Sequence, residues 1–361
     1  MAQAVEPKPG SNSKILTGIV SLFPHSADMV RCLLLVGLSY SVVSRCSALR
    51  VEKRQSLSVD MSIAEDCLRL TTPSLKVEYP SDANDHFDEI TKALKPYDNC
   101  GVHSYAAYWG PWIENHWISH FGSLWSDEKQ RLGENAQLST IFGPFIPILF
   151  PFVDCWVQHG WHNEEGLVRA LTDVLRPDVA YITVSQNDIG LNVPFMPNVV
   201  VLSAGGYGNV PVPLLSGAKS VEKIVPIDQR SLLASFVGSV AHAPHEMRQR
   251  LAQYMYRSFQ PNQMFIGPSP KWEKVMADSR VSLVPRGWGR SAFHLAETVQ
   301  MGLVPVYVYD DVPWVPYKDV LFEKLGYVVN ISEMDLFLQN LPSVSFAELE
   351  AKEAMALKVR D

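Results

Sequence analysis

The feature that most constrains this chain is the alternation, through its second half, of short apolar runs with segments of helical period. Leu232–Val237, Gln263–Ile266, Val281–Val284, Leu303–Tyr309 and Tyr327–Val329 are rich in β-branched and aromatic residues. Between them, Pro244–Arg257, Pro270–Ala277 and Ser291–Met301 have helical character, and a further helix is expected from Ser332. Strands apolar on both faces, each followed by a helix, predict a parallel sheet covered on both sides. Ligands of such sheets bind at the carboxyl ends of the strands, so the residues after each strand carry the most functional information.

The same pattern begins earlier but more thinly. Glu164–Leu175 has helical spacing and stops at Arg176-Pro177, and Val179–Val184 and Asn198–Leu202 read as buried strands. Pro211, Pro213 and the polar stretch Ser216–Lys223 read as a linker. A chain of 361 residues is expected to form two domains. The expected division is a leader over 1–75, a first domain over 76–225, a second over 226–345 and a terminal helix over 346–361 that packs back on the first domain.

Composition narrows the function classes. With 47% hydrophobic and 19% charged residues, the chain is not of the disordered type. A net charge of -7 argues against a nucleic-acid partner, which calls for a basic surface. The run Cys32–Val43, flanked by Arg31 and Arg45, is too short to span a bilayer and reads as a signal or anchor core, or as a leader without order. The five cysteines form no C-x-x-C pair, so a structural zinc site is not expected, while a Cys100–Cys155 disulfide is open to a chain in an oxidising compartment.

Residues 281–314 read VSLVPRGWGRSAFHLAETVQMGLVPVYVYDDVPW. A buried strand ends at Pro285. Arg286-Gly287-Trp288-Gly289 then makes a turn in which glycine permits close backbone approach. Ser291 is placed to cap the following helix and Gly302 to close it. An Arg opposite a helix N-terminus is an anion site, because free N–H groups and the helix dipole point at it. The next strand ends in Asp310-Asp311. Plainer readings stand beside these: Arg286 paired with Asp310 or Asp311, ordinary turn glycines, a solvated acidic loop and a solvated Glu297. Gly287, Gly289 and Ala292 also match the dinucleotide pattern G-x-G-x-x-A, with Asp310 placed to meet a ribose. Trp288 inside the turn and the short chain that follows weigh against that oxidoreductase reading.

This segment resembles the exostosin family of glycosyltransferases. The resemblance is carried by Pro285-Arg286-Gly287, Ser291-Ala292-Phe293, the stretch Glu297 to Val306 (ETVQMGLVPV) and Asp310-Asp311. Upstream, Arg230 with Ser235-Phe236-Val237-Gly238 is similar to the family's first donor-domain strand, Met247-Arg248 to its next helix, and Val210–Pro213 to the exit from the first domain. It covers residues 200–345.

The resemblance implies a GT-B fold, in which two Rossmann-like domains face across a cleft. It implies transfer with inversion from a nucleotide sugar, usually a UDP-sugar, to a glycan or glycoconjugate hydroxyl, with no essential metal or other cofactor. By position, Glu297 would hold the donor ribose and Arg286 would neutralise the departing diphosphate. Gly287, Gly289, Ser291, Asp310, Asp311 and Gly238 would line the donor site. A lumenal Golgi or ER setting, an N-terminal membrane anchor and homo- or hetero-oligomers follow from the same resemblance. A non-catalytic relative that binds nucleotide sugars or glycans is the alternative.

A base for the acceptor hydroxyl is expected from the first domain. In YITVSQNDIGL (181–191), Asp188 follows a strand and precedes Gly190, so Asp188 is the candidate, with a simple loop cap as the bland use. The aromatic cluster Tyr105, Tyr108, Trp109, Trp112, Trp117, Phe121 and Trp125 reads as core first and sugar-stacking surface second. His116 and His120 are four apart but lack a third metal ligand. Asn330-Ile331-Ser332 is an N-glycosylation acceptor pattern and also a helix start.

Overall fold

The computed structural model describes residues 59–360, apart from 70–71, 102–103, 106–107, 110–111, 192, 195 and 216–223. The apolar run at 32–43, most of the leader and the polar linker at 216–223 lie outside the described residues. Among the described residues no helix is long and apolar enough to cross a membrane.

The chain is α/β, with a parallel sheet in each half. The first half contains helices α1 (Ser62–Arg69), α2 (Ala83–Leu94) and α3 (Ile113–Leu132), with a short antiparallel pair β1 (Ser104–Tyr105) and β2 (Tyr108–Trp109) before α3. Then come β3 (Ile146–Pro147), α4 (Phe152–Gln158), α5 (Glu165–Val174), β4 (Tyr181–Ser185), β5 (Val199–Ser203) and β6 (Val210–Pro211). Strands β3-β4-β5-β6 pair in that order, all parallel. All five residues of β4 are buried, as a two-sided parallel strand requires.

The second half follows with β7 (Leu232–Val237), α6 (Met247–Ser258), β8 (Met264–Gly267), α7 (Trp272–Ala277) and β9 (Ser279–Pro285). It continues with α8 (Phe293–Gln300), β10 (Pro305–Tyr309), β11 (Tyr327–Asn330), α9 (Met334–Asn340) and α10 (Phe346–Arg360). Its five parallel strands lie in the order β11-β10-β9-β7-β8. The chain starts at β7, moves outward to β8, then crosses back past β7 to β9. The gap between β7 and β9 is therefore a topological switch point, where the connections leave in opposite directions and open a crevice at the carboxyl ends.

Several expected boundaries move. Ala64, Cys67 and Leu68 of α1 are buried in the first core, so that core takes in residues before 76. The terminal helix α10 packs on the second half, not the first. Ala356 lies in a core cluster with Val284 and Leu295, Leu349 in another with Val306, and Glu353 pairs with the buried Arg230. The helix expected from Pro244 begins at Met247, because His245 and Glu246 are both left-handed, with φ of 54° and 51°.

Trp112, Trp117, Phe121 and Trp125 are buried, three of them on one face of α3 at four-residue spacing, so they are core. The side chains of Tyr105, Tyr108 and Trp109 lie outside the described residues. His116 and His120 sit on α3, and among the described residues no cluster of three His, Cys, Asp or Glu is placed to hold a metal. Cys100 and Cys155 are disulfide-bonded across a separation of 55 residues, and Cys67 is also in a disulfide. Asn330 accepts hydrogen bonds from the Ser332 N–H (2.9 Å) and hydroxyl (2.7 Å), which is the cap use of that motif.

Candidate functional site at the carboxyl ends of two sheets

The carboxyl ends of β4 and β5 from the first sheet meet those of β9 and β10 from the second. Each strand ends in a turn that reaches across the seam. The Ser291 hydroxyl donates to the Ala204 carbonyl, Arg290 donates to the Gly206 carbonyl (3.2 Å), and the Trp314 indole N–H donates to the Ser203 carbonyl (2.9 Å). Asp188, on the loop after β4, accepts the Gly289 N–H.

Gly289 is where the seam is tightest. A Cβ there would lie 2.6 Å from Asp188 Oδ1 and would also run into the Gly205 carbonyl. The expected close approach at this glycine is present, but it is to the other half of the protein. Gly287 has no such demand, since a Cβ would meet nothing closer than the Ser291 carbonyl at 3.4 Å. Its expected role as an obligate turn glycine is therefore not met. Ser291 does not cap α8 either. The chain stays extended through Ala292 and the helix starts at Phe293, because the Ser291 hydroxyl is bonded across the seam and its carbonyl accepts the Gly287 N–H. Gly302 has φ of 70°, the left-handed conformation expected just past a helix end.

Arg286 is buried, and four of its five N–H donors are bonded to protein. It donates to Asp310 Oδ1 (2.8 Å), Asp311 Oδ1 (3.0 Å), and the Gly289 and Trp288 carbonyls (both 3.0 Å). Asp310 also meets His245 Nδ1 at 2.8 Å, and Asp311 accepts from Arg290 at 2.8 Å. The plainer reading of Arg286, a pair with the acidic turn, describes this geometry. Burial raises the Asp311 pKa, but the Val312 N–H, Arg290 and Arg286 more than offset it and hold the carboxyl below its usual range.

Asp188 behaves differently. Burial pushes its pKa up to about 6, against the opposing pull of the Gly289 N–H and Arg286. A carboxylate that titrates near neutrality can take a proton and release it. Its loop is held from behind. The buried Glu114 accepts the Gln186 N–H (3.0 Å), while the Gln186 side chain accepts the Ile113 N–H (3.0 Å). Burial pushes the Glu114 carboxyl up as well, to about 8.

The switch point between β7 and β9 is spanned by Arg248 of α6. Its guanidinium donates to the Ser239 carbonyl (2.9 Å), the Arg286 carbonyl (3.0 Å) and the Pro285 carbonyl (3.4 Å). It also lies 5.3 Å from the centre of the Phe236 ring. Phe236 meets His294 edge-on at 6.3 Å, and His294 Nε2 is 3.2 Å from the Ser282 hydroxyl. Glu297, one turn further along α8, has its carboxylate 3.6 Å from His294 Nδ1. A chain of contacts thus links Glu297 to the Arg286 turn. The Glu297 side chain is 23% exposed, and among the described residues no hydrogen bond within 3.5 Å is made to its carboxylate. Gly238 closes the other wall, where a Cβ would lie 3.1 Å from the Phe236 ring.

Sequence reasoning missed Arg248, His245, Arg290 and His294 as members of this site. His245 and Glu246 hold two successive left-handed conformations without glycine, a strain that concentrates at functional loops. Arg290 could have been found, since it follows the Gly-Trp-Gly turn directly. No family model and no curated protein matches the chain. The class defined by fold and site together is an α/β protein with two parallel sheets whose carboxyl ends converge on one polar seam.

Proposed function

We propose that this chain is an inverting glycosyltransferase of the exostosin type, with a GT-B arrangement of two Rossmann-like halves. One observation carries the reading: Asp188 from one sheet and the Arg286–Glu297 segment from the other converge at strand carboxyl ends, beside a switch point. The donor is a nucleotide sugar, probed first as a UDP-sugar, and it lies along the second sheet between β7 and β9. Glu297 accepts hydrogen bonds from the ribose hydroxyls, for which its carboxylate has spare lone pairs. The diphosphate lies toward the amino end of α8, where the helix dipole favours negative charge. Arg286 contributes positive potential from behind, with its Nη1 group held by Asp310 and Asp311 and its other bonded donors by the Gly289 and Trp288 carbonyls.

An acceptor hydroxyl attacks the anomeric carbon from the face opposite the nucleotide. The new bond to the acceptor oxygen forms as the bond to the diphosphate breaks, and the hydroxyl proton passes to Asp188. Lumenal residence is part of the reading, and the Cys100–Cys155 disulfide supports it, because such bonds persist in oxidising compartments. Incubation with a panel of UDP-sugars and glycan acceptors tests the proposal. Transfer, or donor hydrolysis abolished by Asp188→Asn, supports it. Absence of both across the panel refutes it.

A second reading has one observation in its favour. Four of the five Arg286 donors are bonded to protein, and two carboxylates flank it, so little of the guanidinium is left for a leaving group. A relative that binds nucleotide sugars or glycans without turnover fits that fact. Tight donor binding with no product from any acceptor distinguishes it.

A further inference from the structure

Four large apolar side chains stand exposed on loops that leave four different strands. Ile189 follows β4, Tyr207 follows β5, Trp288 follows β9 and Val312 follows β10. They are four of the nine exposed large hydrophobics among the described residues, and all four border one seam. Trp288, at 62% exposed, projects from the turn whose next residue touches Asp188. Clustering of this kind at a strand-end seam marks a binding surface, whereas single exposed apolar residues need no explanation.

The loops are in contact. A Cβ on Gly190 would lie 2.8 Å from the Tyr207 carbonyl, which sets the Ile189 loop against Tyr207. The Arg290 guanidinium lies over the Tyr207 ring at 4.1 Å and also bonds Asp311. Asp188 lies beside Gly289, next in sequence to Trp288. Aromatic faces are therefore interleaved with carboxylates at one place.

That mixture selects its ligand. A sugar ring offers an apolar C–H face to an aromatic ring and hydroxyl donors around its rim to carboxylates. An apolar partner would bury Asp188 and Asp311 without new donors, at a desolvation cost. A nucleic acid would meet like charge from both acids. We propose that Trp288 and Tyr207 form a glycan-binding platform that seats a sugar ring of the acceptor with one hydroxyl turned toward Asp188. The orientation rests on the transferase reading, and the platform deepens it by naming the two side chains that seat the acceptor ring.

The test is calorimetric titration of the full chain with neutral β-linked tetrasaccharides of glucose, xylose, galactose and mannose. At least one should bind. Trp288→Ala should weaken that ligand about tenfold, Trp288→Phe should recover most of the loss, and Tyr207→Ala should weaken it less. Tyr256→Ala removes an equally exposed aromatic on α6 and should change nothing. Thermal shift with UDP-sugars on the same samples keeps the two ideas apart. Glycan affinity unchanged in Trp288→Ala, or no glycan bound by the wild type, overturns the platform even if UDP-sugars stabilise the chain. Glycan binding that depends on Trp288 without any UDP-sugar effect upholds the platform and removes the transferase reading.

Discussion

The seam and the switch point are neighbours on the second sheet, yet their polar groups are placed in opposite ways. At the seam, Arg286 is surrounded by two carboxylates and two carbonyls, and Ser291, Arg290 and Trp314 bond directly to the first half. At the switch point, the Glu297 carboxylate approaches His294 only at 3.6 Å and keeps its lone pairs available. Around Arg286 the seam is a joint of bonded groups. The switch point is a wall with unused bonding capacity. A residue that stands out in a motif can therefore be the one most occupied by its own protein, while a less occupied carboxylate lies on the helix that follows.

The largest expected effect breaks the joint. Arg286→Ala leaves Asp310 and its neighbours without their buried partner and should cost about 3–5 kcal/mol of stability. A urea midpoint close to wild type would mean that Arg286 is free to serve a ligand instead. Gly289→Ala comes next. Its Cβ would lie 2.6 Å from Asp188 Oδ1, so the two turns must part, at a cost of about 1–3 kcal/mol. Gly287→Ala, whose nearest neighbour is at 3.4 Å, should stay within about 0.5 kcal/mol of wild type. Equal midpoints for the two alanine variants would contradict the seam geometry.

How much of this was legible follows from the same contrast. The β7–β11 strands were readable because a two-sided parallel strand is an unbroken apolar run, as in Val306 to Tyr309. The first half was harder, since β3 and β6 are two residues long and β4 had to be read from β-branched content alone. The site residues were legible by type and position, but their partners were not. Ser291 reads as a helix cap on local chemistry, and only a tertiary contact to Ala204 diverts it. Nothing local marks Arg248 as a bridge, because it bonds Ser239 and Arg286, which lie just past the ends of β7 and β9 and 47 residues apart. The strand order that creates the switch point is likewise invisible in a linear pattern.

A third prediction concerns the support behind Asp188. The folded pKa of Glu114 is raised to about 8 from an ordinary value of 4.5. The folded state therefore holds a proton that the unfolded chain releases across this window. Stability should fall as pH rises from about 4.5 toward 8 and level off above it, the reverse of a carboxylate in a salt bridge. Asp188, raised to about 6, adds a smaller contribution of the same sign over a lower window. Glu114→Gln keeps an acceptor for the Gln186 N–H and removes the titration, so its melting temperature should decline less between pH 6 and 8. Parallel melting curves for wild type and variant across that range would show that Glu114 is ionised in the fold.

The smallest effect on stability is the sharpest test of the comparison. Glu297→Gln removes no hydrogen bond within 3.5 Å among the described residues, and it should shift the urea midpoint by less than about 0.5 kcal/mol. The ligand effect should be large by contrast. A UDP-sugar at 100 times its dissociation constant stabilises a protein by about 2.7 kcal/mol, and most of that increment should vanish in the variant if the carboxylate holds two ribose hydroxyls. UDP and its 2′-deoxy form separate the hydroxyls: the wild type should prefer UDP, and Glu297→Gln should bind both alike. If the variant keeps the wild-type preference, the ribose lies elsewhere, and the spare lone pairs of Glu297 face only solvent and His294.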